Sequence, residues 1–518
     1  MERFDPRRYS VRSAHNVNVV REAERRLMDR LPEGTLMRRA ATGLAIHCSR
    51  MLPRVYGSRV TLLVGGGDNG GDALYAGANL AARGAFVRAV AAGRRIHEDG
   101  AAALRARGGR ILSGASEDGP TDQVRAALFD TDVIVDGLVG IGGRGGLRGP
   151  HAALATLATN SPAPVVAVDL PSGVDAQTGE VAGHAVRAEA TVTFGTYKPG
   201  LFVDPGAERA GRVHFVDIGL GPELPGADLH RPGAVDIARL LPGLGAEADK
   251  YRRGVLAVRA GSDRYPGAAV LCVGGALRTG VGMVRYGGGE EVLSQVIAHW
   301  PETVGARLDL EGDDLSPGRV AAVVVGSGRG TEPANADELR AVLESDRPVL
   351  LDADAITLLG ADEGLAALLP ERSGHTLLTP HAGELSRLLP DSDRADIEAR
   401  RLEHVTRAAE LYRATVLLKG STTLIAHPDA PTVANPTGTP LLATAGSGDV
   451  LSGAAGALLA AGLPPQEAAM CAAYLHGRAA ELVRAGAPIS ASDLLEGLPL
   501  ALREVRASEG AWRGATGS

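Results

Sequence analysis

A loop near the start of the chain combines glycines with acidic and amide side chains. It spans residues 65–72 and directly follows an apolar run at residues 60–64. Glycines at a turn from strand to helix let backbone N–H groups approach an anion, and the helix N-terminus adds a favourable partial charge. The amide of Asn69 and the carboxylates of Asp68 and Asp72 add oxygen ligands that a phosphate cradle does not need. The loop therefore predicts an anion site, or a site for a cation or a ribose.

Three further polar segments follow apolar runs in the same half of the chain. Asp136 opens a second glycine-rich loop, and Lys198 comes after a later run. Asp169 and Ser172 lie between them. Open α/β sheets bind ligands beyond the carboxyl ends of their strands, although an acid there can also simply cap a turn. Oxygens of Asn69, Asp136 and Ser172 could hold a monovalent cation. Asp169 and Lys198 could form an acid/base pair if they lie close together.

The second half of the chain has its own glycine-rich loop, at residues 444–449, before an apolar run rich in alanine. Its glycines free several N–H groups at a helix N-terminus, an arrangement that suits a phosphate. Asp449 lies where it could act as a base, or it could serve only as a helix N-cap. Upstream, Lys419 supplies an ammonium group that could meet the same phosphate.

Three more polar residues of this half have two interpretations each. His381 follows a proline in a turn, where it could bind a ligand or only hydrogen-bond the turn. Asp352 and Asp354 could approach a magnesium ion on a nucleotide, or simply end their strand.

Lysine is rare in this sequence. Only three lysines, Lys198, Lys250 and Lys419, stand among 54 basic residues. A compact, titratable ammonium group can do chemistry that a guanidinium cannot. Their positions, two of them in the segments above, favour a functional role.

Composition excludes several classes of partner. The net charge of −7 without a basic stripe argues against nucleic acid or an anionic membrane, and leaves small-molecule substrates. The three cysteines are widely separated and show no metal or disulfide spacing, which predicts a cytoplasmic protein. The first thirty residues lack the apolar run of a signal peptide, and no apolar stretch is long enough to span a bilayer.

Short apolar runs alternate with alanine-rich helical patterns along both halves of the chain. Near-continuous apolar runs indicate strands covered on both faces, hence parallel sheets with helices around them. A segment rich in proline and glycine, at residues 221–247, predicts a linker between domains 1–220 and 248–518. The predicted strands are residues 60–64, 133–135, 165–168, 191–194, 213–216, 255–258, 323–325, 349–351, 376–378 and 415–418.

The ordered motifs of the first half resemble the NAD(P)H-hydrate epimerase domain, a Rossmann-like three-layer sandwich. The resemblance covers residues 10–220, with a helix pair around residues 20–27 and 36–45. It implies a potassium ion at Asn69, Asp136 and Ser172, and Asp169 as the leading catalytic residue with Lys198 beside it. Asp68 and Ala73 depart from the residues usual in the family, Asn and Gly. The hydrate contacts it implies are Asp68, Asn69, Gly70, Gly71, Asp72, Gly140, Ile141, Gly142, Gly143, Arg144, Gly145, Gly146 and Asp169.

The second half resembles the ribokinase-like superfamily and, within it, ADP-dependent NAD(P)H-hydrate dehydratase. The residues that carry the resemblance include those at 265–269, 379–384 and 444–449. Asp449 is the implied catalytic base. The implied hydrate contacts are Ala268, Gly328, His381 and Asp449, and the implied adenine nucleotide contacts are Lys419, Gly420, Ser421, Thr422, Thr423 and Gly448.

Together the two resemblances imply a bifunctional enzyme that repairs damaged nicotinamide nucleotides. The first domain would interconvert the R and S forms of hydrated NADH or NADPH, and the second would dehydrate the S form at the expense of ADP with Mg²⁺. Assembly into a homo-oligomer through the dehydratase domain is also expected. One alternative is a small-molecule kinase in the second half, and another is a first half that binds nucleotide without catalysis.

Overall fold

The computed structural model describes residues 12–113, 119–243, 250–306, 320–484 and 486–516. Their contacts divide the chain into an N-terminal unit, Ser13–Leu229, and a C-terminal unit that contains the described residues from His230 onward together with Arg12. The elements before this division are β1 (Arg12–Ala14), α1 (Val17–Met28), α2 (Thr35–Met51), β2 (Arg59–Val64), α3 (Asp68–Ala81), β3 (Phe86–Ala91), α4 (Glu98–Ala106), β4 (Arg110–Ser113), α5 (Asp122–Phe129), β5 (Val133–Gly137), α6 (Gly149–Thr159), β6 (Val165–Val168), β7 (Ala190–Phe194), α7 (Gly206–Ala210) and β8 (Arg212–Val216).

The N-terminal unit is built on a seven-stranded parallel sheet in the order β4-β3-β2-β5-β6-β7-β8. Its strands are buried on both faces because alternate residues enter two separate cores. Leu62 and Val64 pack with helices α1 to α4, whereas Leu63 packs on the opposite face with α5 and α6. This arrangement is the predicted three-layer sandwich. The strand order reverses between β2 and β5, which places a ligand crevice at their carboxyl ends.

The C-terminal unit continues with a longer series of helices and strands. They are β9 (Leu229–Arg231), α8 (Ala234–Leu240), β10 (Val255–Arg259), α9 (Pro266–Thr279), β11 (Met283–Gly287), α10 (Glu290–His299), β12 (Val304–Ala306), β13 (Ala322–Val325), α11 (Pro333–Glu344), β14 (Val349–Leu351), α12 (Asp354–Ala361), α13 (Glu363–Ala366), β15 (Thr376–Leu378), α14 (Ala382–Leu388), α15 (Arg394–Ala399), α16 (Arg401–Tyr412), β16 (Thr415–Leu418), β17 (Leu424–His427), β18 (Ala430–Ala434), α17 (Ser447–Ala460), α18 (Pro465–Arg484) and α19 (Ala491–Thr516).

Strands β10 to β16 form the parallel part of the second sheet, in the order β16-β15-β14-β13-β10-β11-β12. Two antiparallel strands, β17 and β18, extend it beyond β16. Here the order reverses between β10 and β13, so a second crevice lies at the carboxyl ends of these two strands. Helix α17 lies against α9, and a Cβ on Gly453 would come within 1.9 Å of the carbonyl oxygen of Cys272. Glycine at this position is therefore required by close helix packing.

The sequence predicted much of this architecture. Each of the ten predicted apolar runs lies within a strand, and the predicted helix pair corresponds to α1 and α2. The prediction for residues 221–247 differs from the structure, because β9 and α8 lie in that segment. Ile237 and Ala238 of α8 are buried in the core of the C-terminal unit, which is why the segment folds there. Part of the predicted linker, residues 244–249, lies outside the described residues.

Candidate functional sites in the two units

The two glycine-rich loops of the N-terminal unit meet at the crevice between β2 and β5. Gly65 donates a backbone hydrogen bond to the carbonyl of Gly137 (3.0 Å), so the first loop leaves the sheet beside the second. Helix α3 begins at Asp68, and residues 68–72 form its first turns. A Cβ on Gly140 would lie 2.4 Å from Oδ1 of Asn69, which brings the two loops into direct contact.

Asp136 and Ser172 form one cluster at the base of this crevice. The Ser172 hydroxyl donates to Oδ1 of Asp136 (2.7 Å), and the Ser172 N–H donates to Oδ2 (2.8 Å). Asp136 is fully buried, and burial raises its pKa to about 6 against the opposing effect of the Ser172 hydrogen bonds. The amide of Asn69 donates to the carbonyl of Val168 (2.6 Å). The structure thus joins Asp136 to Ser172 directly and places Asn69 against the adjoining loop.

Asp169 and Lys198 form a buried ion pair through Oδ1 of the carboxylate. The Thr193 hydroxyl (2.9 Å) and the Phe194 N–H (3.2 Å) donate to the same oxygen. Lys198 also donates to Oγ1 of Thr193 (3.2 Å) and to the carbonyl of Phe194 (3.1 Å). Asp169 has a φ of +65°, in the left-handed region that non-glycine residues rarely adopt. This strained turn follows β6 directly and holds the carboxylate at the edge of the sheet.

A cavity of about 700 Å³ is lined by Glu24, Asp68, Asp72 and Phe194 among others. Burial raises the pKa of Asp72 well above its ordinary value, and the nearby carboxylates of Asp169 and Asp68 raise it further. Oδ1 of Asp72 is buried and has no hydrogen-bond partner among the described residues. Burial likewise raises the pKa of Glu24, while Lys198 lowers it. The buried ammonium group of Lys198 thus acts on the pKa values of both Asp72 and Glu24.

The second glycine-rich loop of this unit lines a separate, smaller cleft. Ile141, Gly142, Gly143 and Arg144 line a cleft of about 180 Å³, together with residues of α1 and residues 175–177. Gly145 has a φ of +70°, and Gly146 packs against the backbone of residue 182.

In the C-terminal unit, the loops after β10 and β13 are tied to each other at the second crevice. Gly261 donates to the carbonyl of Ser327 (2.8 Å), and the hydroxyl of Ser262 donates to the carbonyl of Gly328 (2.8 Å). Gly328 has a φ of +60°, and a Cβ there would lie 2.7 Å from that of Ala268. Ala268 and Gly328, both predicted to contact the hydrate, therefore face each other across a gap that only glycine leaves open.

Asp352 lies at the centre of a buried polar network behind this crevice. Lys419 (2.8 Å) and Thr379 (2.9 Å) donate to its Oδ1, and Ser327 (3.0 Å) and Ser452 (2.9 Å) donate to its Oδ2. Burial acts to raise the pKa of Asp352, but the charge and hydrogen bonds of these partners lower it overall. Both carboxylate oxygens are engaged by the protein, which favours the interpretation of Asp352 as a structural strand end. Asp354 accepts the N–H of Gly330 (2.8 Å).

Asp449 lies in the first turn of α17, whose N-cap Gly446 has a φ of +86°. Burial and the charge of Asp352 raise the pKa of Asp449 to about 7, against the lowering effect of Lys419. A carboxylate with this pKa is suited to accept a proton near neutral pH. On the following helix, His476 contacts the carbonyl of Ser447 (2.9 Å), and burial lowers its pKa to about 4. His476 thus supports the glycine-rich loop through its contact with the backbone of Ser447.

The segment Lys419, Gly420, Ser421, Thr422 and Thr423 connects β16 to β17. The guanidinium of Arg401 donates to the carbonyls of Lys419 and Thr422, at 3.1 Å each. Lys419 reaches from this segment to the glycine-rich loop, since its Nζ lies 3.5 Å from the position of a Cβ on Gly448. The structure therefore brings Lys419 and Gly448, two of the predicted nucleotide contacts, together beside Asp449.

His381 is the N-cap of α14. Its Nδ1 accepts the N–H of Glu384 (3.1 Å), and its own N–H donates to Oε2 of Glu384 (2.8 Å). This reciprocal arrangement is a capping box, as the turn interpretation predicted. The imidazole is still about half exposed. Burial of the rest of the ring lowers the pKa of His381. The cap role and a contact with a ligand are compatible.

Sequence reasoning missed the contribution of Glu24 and of the hydroxyls around Asp352. Glu24 precedes the first glycine-rich loop by more than forty residues, and its helical setting gave no sign of a site. The charged face of α1 contains no apolar run and no glycine-rich motif that would indicate a site. Within the described residues, no cluster of three metal-ligating His, Cys, Asp or Glu side chains occurs, and no helix has the length and apolarity needed to cross a membrane. Cys48, Cys272 and Cys471 are buried, free cysteines.

Comparison with known proteins identifies the two units. Residues 33–200 match the family described as YjeF-related protein N-terminus, and residues 256–499 match the family described as NAD(P)H-hydrate dehydratase. The bifunctional NAD(P)H-hydrate repair enzyme of Mycobacterium leprae is 45% identical over 505 residues, which cover 95% of this chain and 99% of that protein. The enzyme of the same name from Moorella thermoacetica is 34% identical over 518 residues, covering 94% and 97%.

Among solved structures, the chain is similar to the ADP/ATP-dependent NAD(P)H-hydrate dehydratase of Bacillus subtilis, co-crystallised with ATP and Mg²⁺. The identity is 31%, the TM-score is 0.48, and the match covers 53% of this chain and 97% of that one. The family matched by the second half decides for the predicted dehydratase over the kinase alternative. The chain belongs to the family of bifunctional NAD(P)H-hydrate repair enzymes, with an epimerase domain followed by a nucleotide-dependent dehydratase domain.

Proposed function

We propose that the N-terminal unit binds the hydrated nicotinamide ring with its C6 carbon beside Asp169 and Lys198. The observation that carries this assignment is the buried Asp169–Lys198 pair, both members of which hydrogen-bond the backbone of Phe194, a residue that lines the cavity of about 700 Å³. All described contacts of the carboxylate lie on Oδ1, so Oδ2 is the atom that faces a substrate.

The chemistry of the substrate suits an acid/base pair. C6 of the hydrate carries both a hydroxyl group and the ring nitrogen N1, so it is a hemiaminal carbon. Asp169 accepts the hydroxyl proton while the C6–N1 bond breaks and N1 takes up a proton, which leaves an aldehyde at C6. Rotation about the C5–C6 bond and attack of N1 on the other face close the ring with inverted configuration. Lys198 holds Asp169 in place and balances its charge.

We also propose a potassium ion at Asn69, Asp136 and Ser172. The donor set fits this ion, because it combines the amide oxygen of Asn69, the fully buried carboxylate of Asp136 and the hydroxyl oxygen of Ser172. The ion would supply positive charge that offsets Asp136 and orders the two glycine-rich loops. Asp68, where the family usually has Asn, adds a carboxylate at the start of α3.

For the C-terminal unit we propose dehydration through a phosphate ester. The C6 hydroxyl is a poor leaving group, so Asp449 removes its proton as the oxygen attacks the terminal phosphorus of ADP. AMP leaves, the C6–O bond of the ester then breaks to release phosphate, and C5 loses a proton, so that the C5–C6 double bond of NAD(P)H is restored. The N–H groups at the start of α17 and the ammonium of Lys419 stabilise the charge on the transferred phosphoryl group. Mg²⁺ bound with the nucleotide would supply positive charge that offsets the charge of the phosphates.

Ala268, Gly328 and His381 would contact the hydrate, and residues 419–423 with Gly448 would contact the nucleotide. We further propose that ADP is the preferred phosphoryl donor, that the protein acts in the cytoplasm, and that it associates through the dehydratase unit.

Two variants of the full-length chain test the assignment of the two activities. Asp169→Asn should abolish conversion of R to S hydrate while dehydration of pure S hydrate continues. Asp449→Asn should do the reverse. If either single variant lost both activities, or neither, the proposed division of roles would be wrong.

A further inference from the structure

Helix α1 contributes side chains to the large cavity and to the smaller cleft of the N-terminal unit. Glu24 and Met28 line the large cavity, whereas Val17, Asn18 and Arg21 line the smaller cleft. Arg21 and Glu24 are three residues apart and therefore lie on one face of the helix. The helix precedes residues 33–200, the part of the unit that matches a known family, so the family match assigns it no role.

The smaller cleft is cationic on two sides. The exposed side chains of Arg21 and Arg144 line it, with the backbone of the second glycine-rich loop between them. A Cβ on Gly142 would lie 3.2 Å from Nη2 of Arg21, so this guanidinium lies directly against the loop. Asp175 also lines the cleft, but its Oδ1 already accepts the N–H groups of residues 177 (2.9 Å) and 178 (3.0 Å).

The charge of the first glycine-rich loop is of the opposite sign. Glu24, Asp68 and Asp72 line the large cavity, and none of these acidic groups supplies the positive charge that a phosphate site requires. Lys198 does not supply it either, because its ammonium group has three donors and they are directed to Asp169, Thr193 and the carbonyl of Phe194. The hydrated nicotinamide ring is uncharged, whereas the rest of the dinucleotide carries phosphates.

The large cavity and the smaller cleft therefore fit different parts of one substrate. We propose that Arg21, together with Arg144, binds a phosphate group of the hydrated dinucleotide while the ring occupies the acidic cavity. Guanidinium groups bind phosphate oxygens through paired, charge-assisted hydrogen bonds. Arg21 is thus a substrate-binding residue of the epimerase reaction, contributed by a helix outside the matched family segment. The inference rests on the proposed function of the Asp169–Lys198 site.

The test measures steady-state epimerisation by the full-length protein with R-NADH hydrate and R-NADPH hydrate as separate substrates. Wild type is compared with Arg21→Ala and Arg144→Ala. Loss of a charge-assisted contact that is equal in ground and transition states raises KM, here by about tenfold or more, and leaves kcat within about twofold. Arg25→Ala is the matched control, because Arg25 lies on the same helix and pairs with Glu22 on the surface.

The two substrates distinguish which phosphate is bound. An equal rise of KM for both hydrates identifies the diphosphate, and a rise confined to NADPH hydrate identifies the 2′-phosphate of the adenosine. An unchanged KM of Arg21→Ala for both substrates, or the same rise with Arg25→Ala, overturns the inference. Failure of the proposed function itself would look different, because Asp169→Asn would then retain epimerisation.

Discussion

Lys198 and Asp169 are paired inside the N-terminal unit, and the pair is held on one carboxylate oxygen. Lys198 is 1% exposed and Asp169 is 6% exposed, so neither charge has bulk water to compensate the loss of the other. The backbone at Asp169 is left-handed, a conformation that Asp and Asn tolerate better than other non-glycine residues. Its position after a strand, its left-handed backbone and its buried ion pair together favour a catalytic role for the Asp169 carboxylate.

Removing one partner of this pair should destabilise the protein more than removing both. Lys198→Met leaves a buried carboxylate without its cation, which costs about 3–5 kcal/mol of unfolding free energy. The double variant Asp169→Asn with Lys198→Met should recover most of this loss while epimerase activity stays absent. Thermal unfolding of the three proteins measures the effect. A double variant no more stable than Lys198→Met would contradict the account of the pair.

Potassium should stabilise the N-terminal unit through Asp136. The unfolding temperature of wild type is expected to rise when potassium chloride replaces tetramethylammonium chloride at equal ionic strength, because the ion binds only the folded state. Asp136→Asn should lose this difference and the potassium dependence of epimerisation. Asp130→Asn is the control, since Asp130 is an exposed surface carboxylate paired with Arg59. Equal potassium responses of wild type and Asp136→Asn would remove the proposed ion site.

The dehydratase reaction should depend on pH through Asp449. A base acts in its ionised form, and the pKa of Asp449 is raised to about 7. The value of kcat/KM should therefore fall as pH drops below 7 and level off above it. Asp449→Asn should lower kcat by roughly 10²–10⁴-fold, the usual contribution of a general base. A flat profile between pH 5 and 8 in wild type would exclude Asp449 as the titrating base.

Gly328→Ala should close the hydrate site of the C-terminal unit. The new methyl group would meet Ala268 and would also strain a left-handed turn, so KM for S hydrate should rise. Overpacking of this kind costs about 1–3 kcal/mol, which corresponds to a loss of about fivefold to more than a hundredfold in affinity. Gly462→Ala is the control, because Gly462 has a φ of +91° but nothing lies within 4 Å of its Cβ position. Similar KM values for the two variants would argue against a site at Gly328.

The sequence was sufficient for elements whose signal is local. Strands β2 and β5 read as continuous apolar runs because both of their faces are buried, and the glycine-rich loops follow them directly. Strand β3 was missed because Arg88 interrupts its apolar pattern. Strand β17 is only four residues long, and Pro431 and Thr432 interrupt the apolar pattern of β18.

The candidate sites divide in the same way. Asp169, Lys198 and Asp449 could be singled out because each lies beside a strand end or a glycine-rich loop. The role of Glu24 could not be, since its position depends on how α1 packs against distant loops. The network around Asp352 gathers Ser327, Thr379, Lys419 and Ser452 from four separate segments, and only the folded chain brings them together.

The most direct test of the account is one reaction with both activities present. Mixed R and S hydrates of NADH are incubated with ADP, Mg²⁺ and potassium, and the reappearance of NADH absorbance is followed. Wild type should convert all of the hydrate, faster than the epimers interconvert without enzyme. Asp169→Asn should slow, once the initial S fraction is consumed, to the rate at which the epimers interconvert without enzyme. If wild type also slowed to that rate at the S fraction, or if Asp169→Asn ran to completion at the wild-type rate, the central claim would be contradicted.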